Sequence, residues 1–357
     1  MTTSLRRRAA SRRPRHHRLL LEPLEDRSCP SVFYDFNVIA KTGDAVGGQT
    51  LTALGNAPAV SNRAAVAFVG TSPAGQGLYV ADTGTPVKIS SASSDSRTFG
   101  PELSINSARM VAAADASVGP PQEQRVARWD GPSSPGALTN VAAQATPGLG
   151  GLGTAVAMNS VGDVAYTDTL AGVRTLDYYR VLFGTSSVVA RFQTAQTLFP
   201  SVSDTRGVVV RTSNAHGHTG ITLYSPRVDD DSSYHATVIA SAANGFTALG
   251  ARPGISADGS IVVFAGSRGA AQGVWASIAG DNGTRSLVRL TGGPDGRINP
   301  ELGYNAAGQA IFLRSFDLDQ PVRAARRWGR SGSRWTASWS RSRPRPVAPA
   351  SLTPQPA

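Results

Sequence analysis

Short uninterrupted apolar runs, each launched by a stretch of Asn, Asp, Ser and Gly, return six times along this chain. The copies read SNRAAVAF, NSARMVAA, NSVGDVAY, SDTRGVVV, ADGSIVVF and NAAGQAIF; they end at Phe68, Ala113, Tyr166, Val210, Phe264 and Phe312, 44 to 54 residues apart. The polar residues accept positive φ or hydrogen-bond their own backbone, so Ser256-Ala257-Asp258-Gly259 and Asn305-Ala306-Ala307-Gly308 predict tight turns. Asp258 and Asp163 are read as turn formers on the same ground, not as acids or bases. Runs such as Ile261-Val262-Val263-Phe264 lack the alternation of a half-exposed strand, which predicts strands covered on both faces.

Two further strands follow most copies. The first of them is expected at 77–80, 125–129, 179–183, 221–224 and 273–276, and the second at 87–89, 138–141, 188–191, 237–239 and 287–290. Proline precedes five of the phrases, at Pro58, Pro101, Pro200, Pro253 and Pro300, where the chain crosses between sheets and has no ladder bond to donate. A strand-rich repeat of this length has the period of a propeller blade and is too long for helical solenoid repeats. The fold expected is therefore all-β, a six-bladed β-propeller spanning residues 31–320. Residues 36–40 resemble an unpartnered strand, so the N-terminal strand is expected to close the last blade and remove its exposed edge.

PGISADGSIVVFAG (Pro253 to Gly266) resembles the P-x-x-S-x-D-G-x-x-[VI]-x-F phrase of TolB-like, WD40-like propeller repeats, and PSVSDTRGVVVRTS is a looser version. NSVGDVAY and NAAGQAIF are similar to the N-x-x-G-x-[AV]-[AVI]-[FY] tandem repeats of bacterial surface proteins. The second and fourth copies depart from the pattern with Ala113 and Val210 in the aromatic position. Propellers host binding, scaffolding and catalysis alike, so the resemblance implies a fold and leaves function open.

The net charge of +11 invites a nucleic-acid reading until its location is examined. Residues 1–18 hold seven arginines and no acid, and residues 320–357 hold eight and no acid, which leaves −4 for everything between them. The pI of 10.6 thus describes two tails and not a basic groove, and nucleic-acid binding by the ring itself is not expected. Binding through the tails remains as a reading; it requires an affinity that falls steeply with salt.

The tails differ from the ring in composition. Residues 1–30 form an Arg-rich leader whose apolar run, Leu19 to Leu21, is cut short by Glu22, too short for the ~7–15 apolar residues of a secretory signal. RLLLEPLEDRSCPS, from Arg18 to Ser31, resembles the LEPLEDR-type leader of planctomycete proteins and implies export or attachment to the cell surface. Residues 321–357, rich in Arg, Ser and Pro, are expected to form a disordered tail.

Candidate chemistry is sparse, and no catalytic, cofactor or metal site is expected. Cys29 is a lone thiol in the leader. His216 and His218 put two imidazoles in one loop, and Asp229-Asp230-Asp231 is an acidic run without the spacing of a dedicated calcium loop. Both are read as solvated loops. Arg128-Trp129 and Tyr178-Tyr179 offer a cation–π or sugar-stacking surface on one reading and packing between blades on the other, which their repeat-equivalent positions favour. The function expected is a non-catalytic, exported or cell-surface binding or scaffold module, monomeric and without a transmembrane segment. It would hold a protein or glycan at the propeller funnel or rim. The alternative is an extracellular polysaccharide hydrolase or lyase, although no GxSxG elbow orders a nucleophile.

Overall fold

The computed structural model describes residues 38–291 except positions 56, 83, 91–95, 120–122, 145–150, 194–197, 215, 231 and 281–282, and it describes backbone strands between 296 and 339. A two-strand ribbon, Ala45–Val46 with Gln49–Thr50, precedes six antiparallel meanders, one for each repeat. Sheet 1 comprises Val66–Ser72, Gly75–Ala81 and Val87–Lys88 behind a first strand in two pieces, Ala53–Leu54 and Ala59–Val60. Sheet 2 runs Arg97–Ile105, Val111–Ser117, Gln124–Trp129, Leu138–Ala143, and sheet 3 runs Val156–Met158, Val164–Leu170, Val173–Arg180, Thr185–Phe192. Sheet 4 follows as Ser201–Val202, Val208–Ser213, Thr219–Pro226 and Tyr234–Ser241. Sheet 5 again splits its first strand, into Phe246–Leu249 and Gly254–Ile255, before Ile261–Arg268, Ala271–Ala279 and Arg285–Arg289. Sheet 6 is Gly296–Tyr304, Ala310–Phe316, Ala324–Ser331 and Arg334–Trp339. No α-helix occurs among the described residues.

Each of the first five repeated phrases forms a turn and the second strand of its sheet, not the first, and the sixth runs into the second strand, Ala310–Phe316. The first strand lies before the turn and escapes sequence reading, because pieces as short as Ser201–Val202 and Val156–Met158 carry no periodicity. The prolines mark it. Pro58, Pro200 and Pro253 stand immediately ahead of Ala59–Val60, Ser201–Val202 and Gly254–Ile255, while Pro101 and Pro300 sit inside longer strands where the register shifts between Phe99 and Leu103 and between Ile298 and Leu302. A residue without an N–H is tolerated where the ladder is interrupted.

The five described turns share one plan, the fifth being one residue longer than the others. The first residue of each, Ser61, Asn106, Asn159, Ser203 or Ser256, donates its backbone N–H across the hairpin; Ser61 N reaches Ala65 O at 2.8 Å and Asn106 N reaches Met110 O at 3.1 Å. Its side-chain oxygen also accepts a strand N–H, from Ala65 (3.0 Å), Met110 (3.0 Å), Asp163 (2.9 Å), Gly207 (2.8 Å) and Ile261 (2.9 Å) respectively. That double role explains why only Asn and Ser occupy the position. The fourth residue is left-handed: Gly162 and Gly259 in two repeats, but Ala64 (φ 62°), Arg109 (φ 65°) and Arg206 (φ 67°) in the others. A side chain there costs about 1 kcal/mol relative to glycine. Ala64→Gly is therefore expected to raise the melting temperature by a few degrees. A thermal melt showing the same or a lower midpoint would count against this account of the turn.

Continuous apolar runs arise because successive residues of each second strand face different neighbours. Val111 and Ala113 pack with Ala65, Ala67, Val69 and Leu78 of sheet 1, while Ala112 and Ala114 pack with Val156, Val164 and Tyr166 of sheet 3. The same alternation sends Val208 and Val210 toward sheet 3 and Val209 toward sheet 5. In sheets 2 to 5 the last residue of the phrase, Ala113, Tyr166, Val210 or Phe264, faces the preceding sheet. For Phe68 that place is taken by the ribbon, through Val46 and Leu51. In sheet 2 the aromatic role passes from Ala113 to the fully buried Trp129, which packs edge-on against Phe99 with ring centroids 5.7 Å apart.

Both ends depart from the sequence reading. Residues 38–40 carry no strand pairing, and Ile39 and Ala40 pack against Val46, Leu51, Phe68 and Tyr79 beside sheet 1 instead of adding an edge to sheet 6. The turn that follows, in which Lys41 N donates to Asp44 Oδ2 at 2.9 Å, folds the chain back into the ribbon. Residues 36 and 37 lie outside the described residues, as do the leader and residues 340–357. Within the stretch assigned to a disordered tail, Ala324–Ser331 pairs with Arg334–Trp339 and also joins Ala310–Phe316. Composition conceals these strands, because their arginines, serines and tryptophans resemble the rest of the tail. A chain ending at residue 320 should consequently expose an unpaired edge and aggregate, while one ending at residue 339 should not; light scattering of the two purified proteins separates these outcomes.

Candidate functional site

The first strands of five successive sheets line a single cavity of about 350 Å³. Its walls come from equivalent segments, 57–62, 102–107, 155–160, 199–204 and 252–257. Counting four residues back from the first residue of each turn gives one layer of the wall: Ala57, Glu102, Ala155, Phe199 and Arg252. Across this layer Arg252 of sheet 5 forms an ion pair with Glu102 of sheet 2 through its Nη2, joining residues 150 positions apart. The Arg252 guanidinium also lies over the Phe199 ring, 4.7 Å from its centroid. Stacking on a ring face fixes the plane of the guanidinium.

Polar contacts tie the turns to one another around the cavity. Asn106 Nδ2 donates to Asn159 O and Ser160 O, both at 3.2 Å; Ser160 N donates to Asp204 Oδ1 at 2.9 Å, and Asp204 N donates to Ala257 O at 2.7 Å. Lower in the walls, Met158 N donates to Ser104 Oγ (2.9 Å) and Ile255 N to Ser201 Oγ (3.3 Å). From repeat 2 to repeat 5 each turn is thus hydrogen-bonded to the next, and that part of the cavity's outline is held by backbone and short side chains.

The chain matches no family model and no curated protein. Solved structures do resemble it. Among them are TolB from Acinetobacter baumannii (14% identity, 73% of this chain and 60% of that one, TM-score 0.42) and a protein from Lactobacillus plantarum (11%, 79% and 82%, TM-score 0.46). Prolyl oligopeptidase B from Galerina marginata is similar at 12% identity over 77% of this chain and 42% of that one, with a TM-score of 0.50. This last likeness, to a propeller domain, concerns fold alone, and it agrees with successive meanders whose first strands line one cavity. The fold is a β-propeller. The chain spans less than two thirds of TolB and of the oligopeptidase, so the activities of those whole proteins are not carried over.

In this propeller the residues singled out in the sequence fall outside the cavity layer. His216 and His218 are exposed, their backbone N–H groups both donate to Asn214 Oδ1 at 3.0 Å, and their rings stand 6.5 Å apart. Asp230 accepts from Ser232 Oγ (2.6 Å) and Ser232 N (2.9 Å), which holds its carboxyl below the usual range; Asp229 is likewise exposed, and Asp231 lies outside the described residues, as does Cys29. Among the described residues no group of three His, Cys, Asp or Glu is placed to hold a metal. Asp258 accepts from Ser260 N at 3.0 Å within its turn. Asp163 accepts from Tyr178 Oη (2.8 Å) and Val181 N (2.9 Å), and burial together with Asp163 pushes the Tyr178 hydroxyl well up. Trp129 and Tyr178 are fully buried and Tyr179 nearly so, so packing between blades, not sugar stacking, accounts for the aromatic pairs.

The residues that shape the cavity, Glu102, Phe199 and Arg252, escaped sequence reading. A signal did exist: Phe199 and Arg252, like Ala57, directly precede the repeat proline. That position is polar, aromatic or small from repeat to repeat while the turn beside it stays constant, as expected of a residue that faces a ligand instead of a core.

Proposed function

We infer that this chain is a ring of six blades, exported or attached to the cell surface, that acts as a binding module. Its ligand, a protein or a glycan, occupies the cavity at the ring's centre, and the ribbon at residues 45–50 covers the seam ahead of blade 1. The observation that carries the reading is the construction of the cavity: five repeats contribute equivalent segments, and the layer Ala57, Glu102, Ala155, Phe199 and Arg252 differs in size and charge from repeat to repeat while the residue that heads each turn is always Asn or Ser. The charged wall residues support binding over bond-breaking chemistry. Glu102 is engaged by Arg252 and Asp204 by the Ser160 backbone, so neither carboxylate stands ready as an acid or base. The leader's resemblance supports export.

Val60 lines the cavity and is 63% exposed, so Val60→Trp fills the mouth without disturbing the core. The expected result is a variant with wild-type circular dichroism and melting temperature that loses, by at least tenfold, the affinity of any ligand the wild type binds. Unchanged affinity would place the ligand elsewhere.

A further inference from the structure

We propose that the cavity recognises a carboxylate at the end of an extended peptide, with Arg252 as the recognising residue. The inference rests on the binding reading above and names the chemistry of its ligand. An arginine carries five N–H donors in a planar fork matched to the two oxygens of a carboxylate. Arg252 commits one nitrogen, Nη2, to a single oxygen of Glu102, and its ring contact with Phe199 uses the face of the guanidinium and not its edge. Its side chain is one-third exposed and lines the cavity, so the remaining edge is presented to whatever enters.

Glu102 holds the fork in position and neutralises it until a ligand arrives. Its own side chain is 17% exposed, and Pro101 ahead of it fixes the bulged backbone that carries it. An incoming carboxylate either takes the unused donors beside Glu102 or displaces it. Ligand charge therefore competes with Glu102, and removing that competitor strengthens binding.

A peptide suits the walls better than a sugar. The described aromatic ring of the cavity, Phe199, is already covered by Arg252, which removes the stacking platform a sugar ring uses. The walls are instead formed by short first strands at the edges of their sheets, and an extended chain can pair with an edge strand wherever its backbone groups are not already taken, as Met158 N and Ile255 N are.

The test is a display library of random peptides with free C-termini, selected on the full chain and counter-selected on Arg252→Ala. Selected peptides are then titrated as free acids and as C-terminal amides against wild type, Arg252→Ala, Arg252→Lys and Glu102→Gln, each checked by circular dichroism. Amidation and Arg252→Ala are each expected to weaken binding about 10- to 100-fold, the range of a charge-assisted hydrogen-bonded pair. Arg252→Lys should recover only part of the loss, since an ammonium cannot reproduce the fork, and Glu102→Gln should tighten binding. Peptides that bind wild type and Arg252→Ala alike, or as well when amidated, overturn the carboxylate assignment and leave the binding reading standing. Selection that yields no peptide, with oligogalacturonate binding in an Arg252-dependent manner, overturns the peptide source. If neither peptide nor oligogalacturonate binds the wild type, the binding reading falls and the carboxylate assignment with it.

Discussion

Asp177→Asn is expected to leave the protein about as stable as wild type at pH 5 and clearly more stable at pH 8. Asp177 and Asp168 are buried on neighbouring strands of blade 3, 5% and 2% exposed, with the fully buried Thr175 hydroxyl between them. That hydroxyl contacts Asp168 Oδ1 and lies 2.6 Å from Asp177 Oδ2. It owns one proton and can donate to only one carboxylate, so the other contact is complete only when a carboxyl carries a proton. Burial, then the neighbouring charge of Asp168, pushes Asp177 up to about 7, against the opposing pull of the Thr175 contact and Arg191; Asp168 is also raised by burial, opposed by Thr175 and Arg174. The shared proton belongs to the pair.

The sign follows from where the proton binds more tightly. Asp177 titrates near 7 in the folded chain and near 4 in the unfolded chain, so between these values the folded state holds the extra proton. Stability is then greatest below about pH 4, falls as pH rises through the window and is lowest above 7, with a full swing on the order of 4 kcal/mol. Asparagine keeps an acceptor and supplies a fixed donor for Thr175, and it titrates nowhere. Melting curves at pH 5 and pH 8 should therefore converge for the variant and diverge for wild type, by several degrees for a domain of this size. Equal pH dependence in the two proteins would show that the Thr175 bridge does not hold the proton.

Asp115→Ala should cost about 3–5 kcal/mol, enough to lower the melting temperature by roughly 10 °C. The Asp115 side chain is fully buried and receives Arg97 Nε at 2.6 Å and Arg125 Nε at 2.9 Å. Burial pushes this carboxyl up while the two guanidiniums pull it back. The arginines themselves are only 12% and 16% exposed, so removing Asp115 leaves two guanidiniums out of water without their counter-charge. Asp115→Asn retains one acceptor and should lose less. Added salt should not reproduce the loss, because a pair this deep is screened little. A cost for Asp115→Ala below 1 kcal/mol would mean the arginines swing out to solvent.

The turns, the second strands and the period follow from local chemistry that can be read along the chain. Asn or Ser at the head of each turn, a left-handed fourth position and an apolar run beyond it are local chemistry, complete within eight residues, and they repeat because each blade solves the same problem. Double-sided burial was legible too, since Val208-Val209-Val210 has no polar face to offer solvent. Two things were not. First strands of two or three residues have no pattern of their own, and composition hid Ala324–Ser331 and Arg334–Trp339 because their arginines resemble those of a tail. The tertiary structure alone decided the cavity layer and the buried acids. Glu102 and Arg252 meet only because the four blades from 2 to 5 turn the chain back on itself, and that curvature is the sum of side-chain packing at the three interfaces between them. Asp168 and Asp177 look in sequence like ordinary strand acids; the packing of blade 3 against blade 2 excludes the water that would have kept them charged.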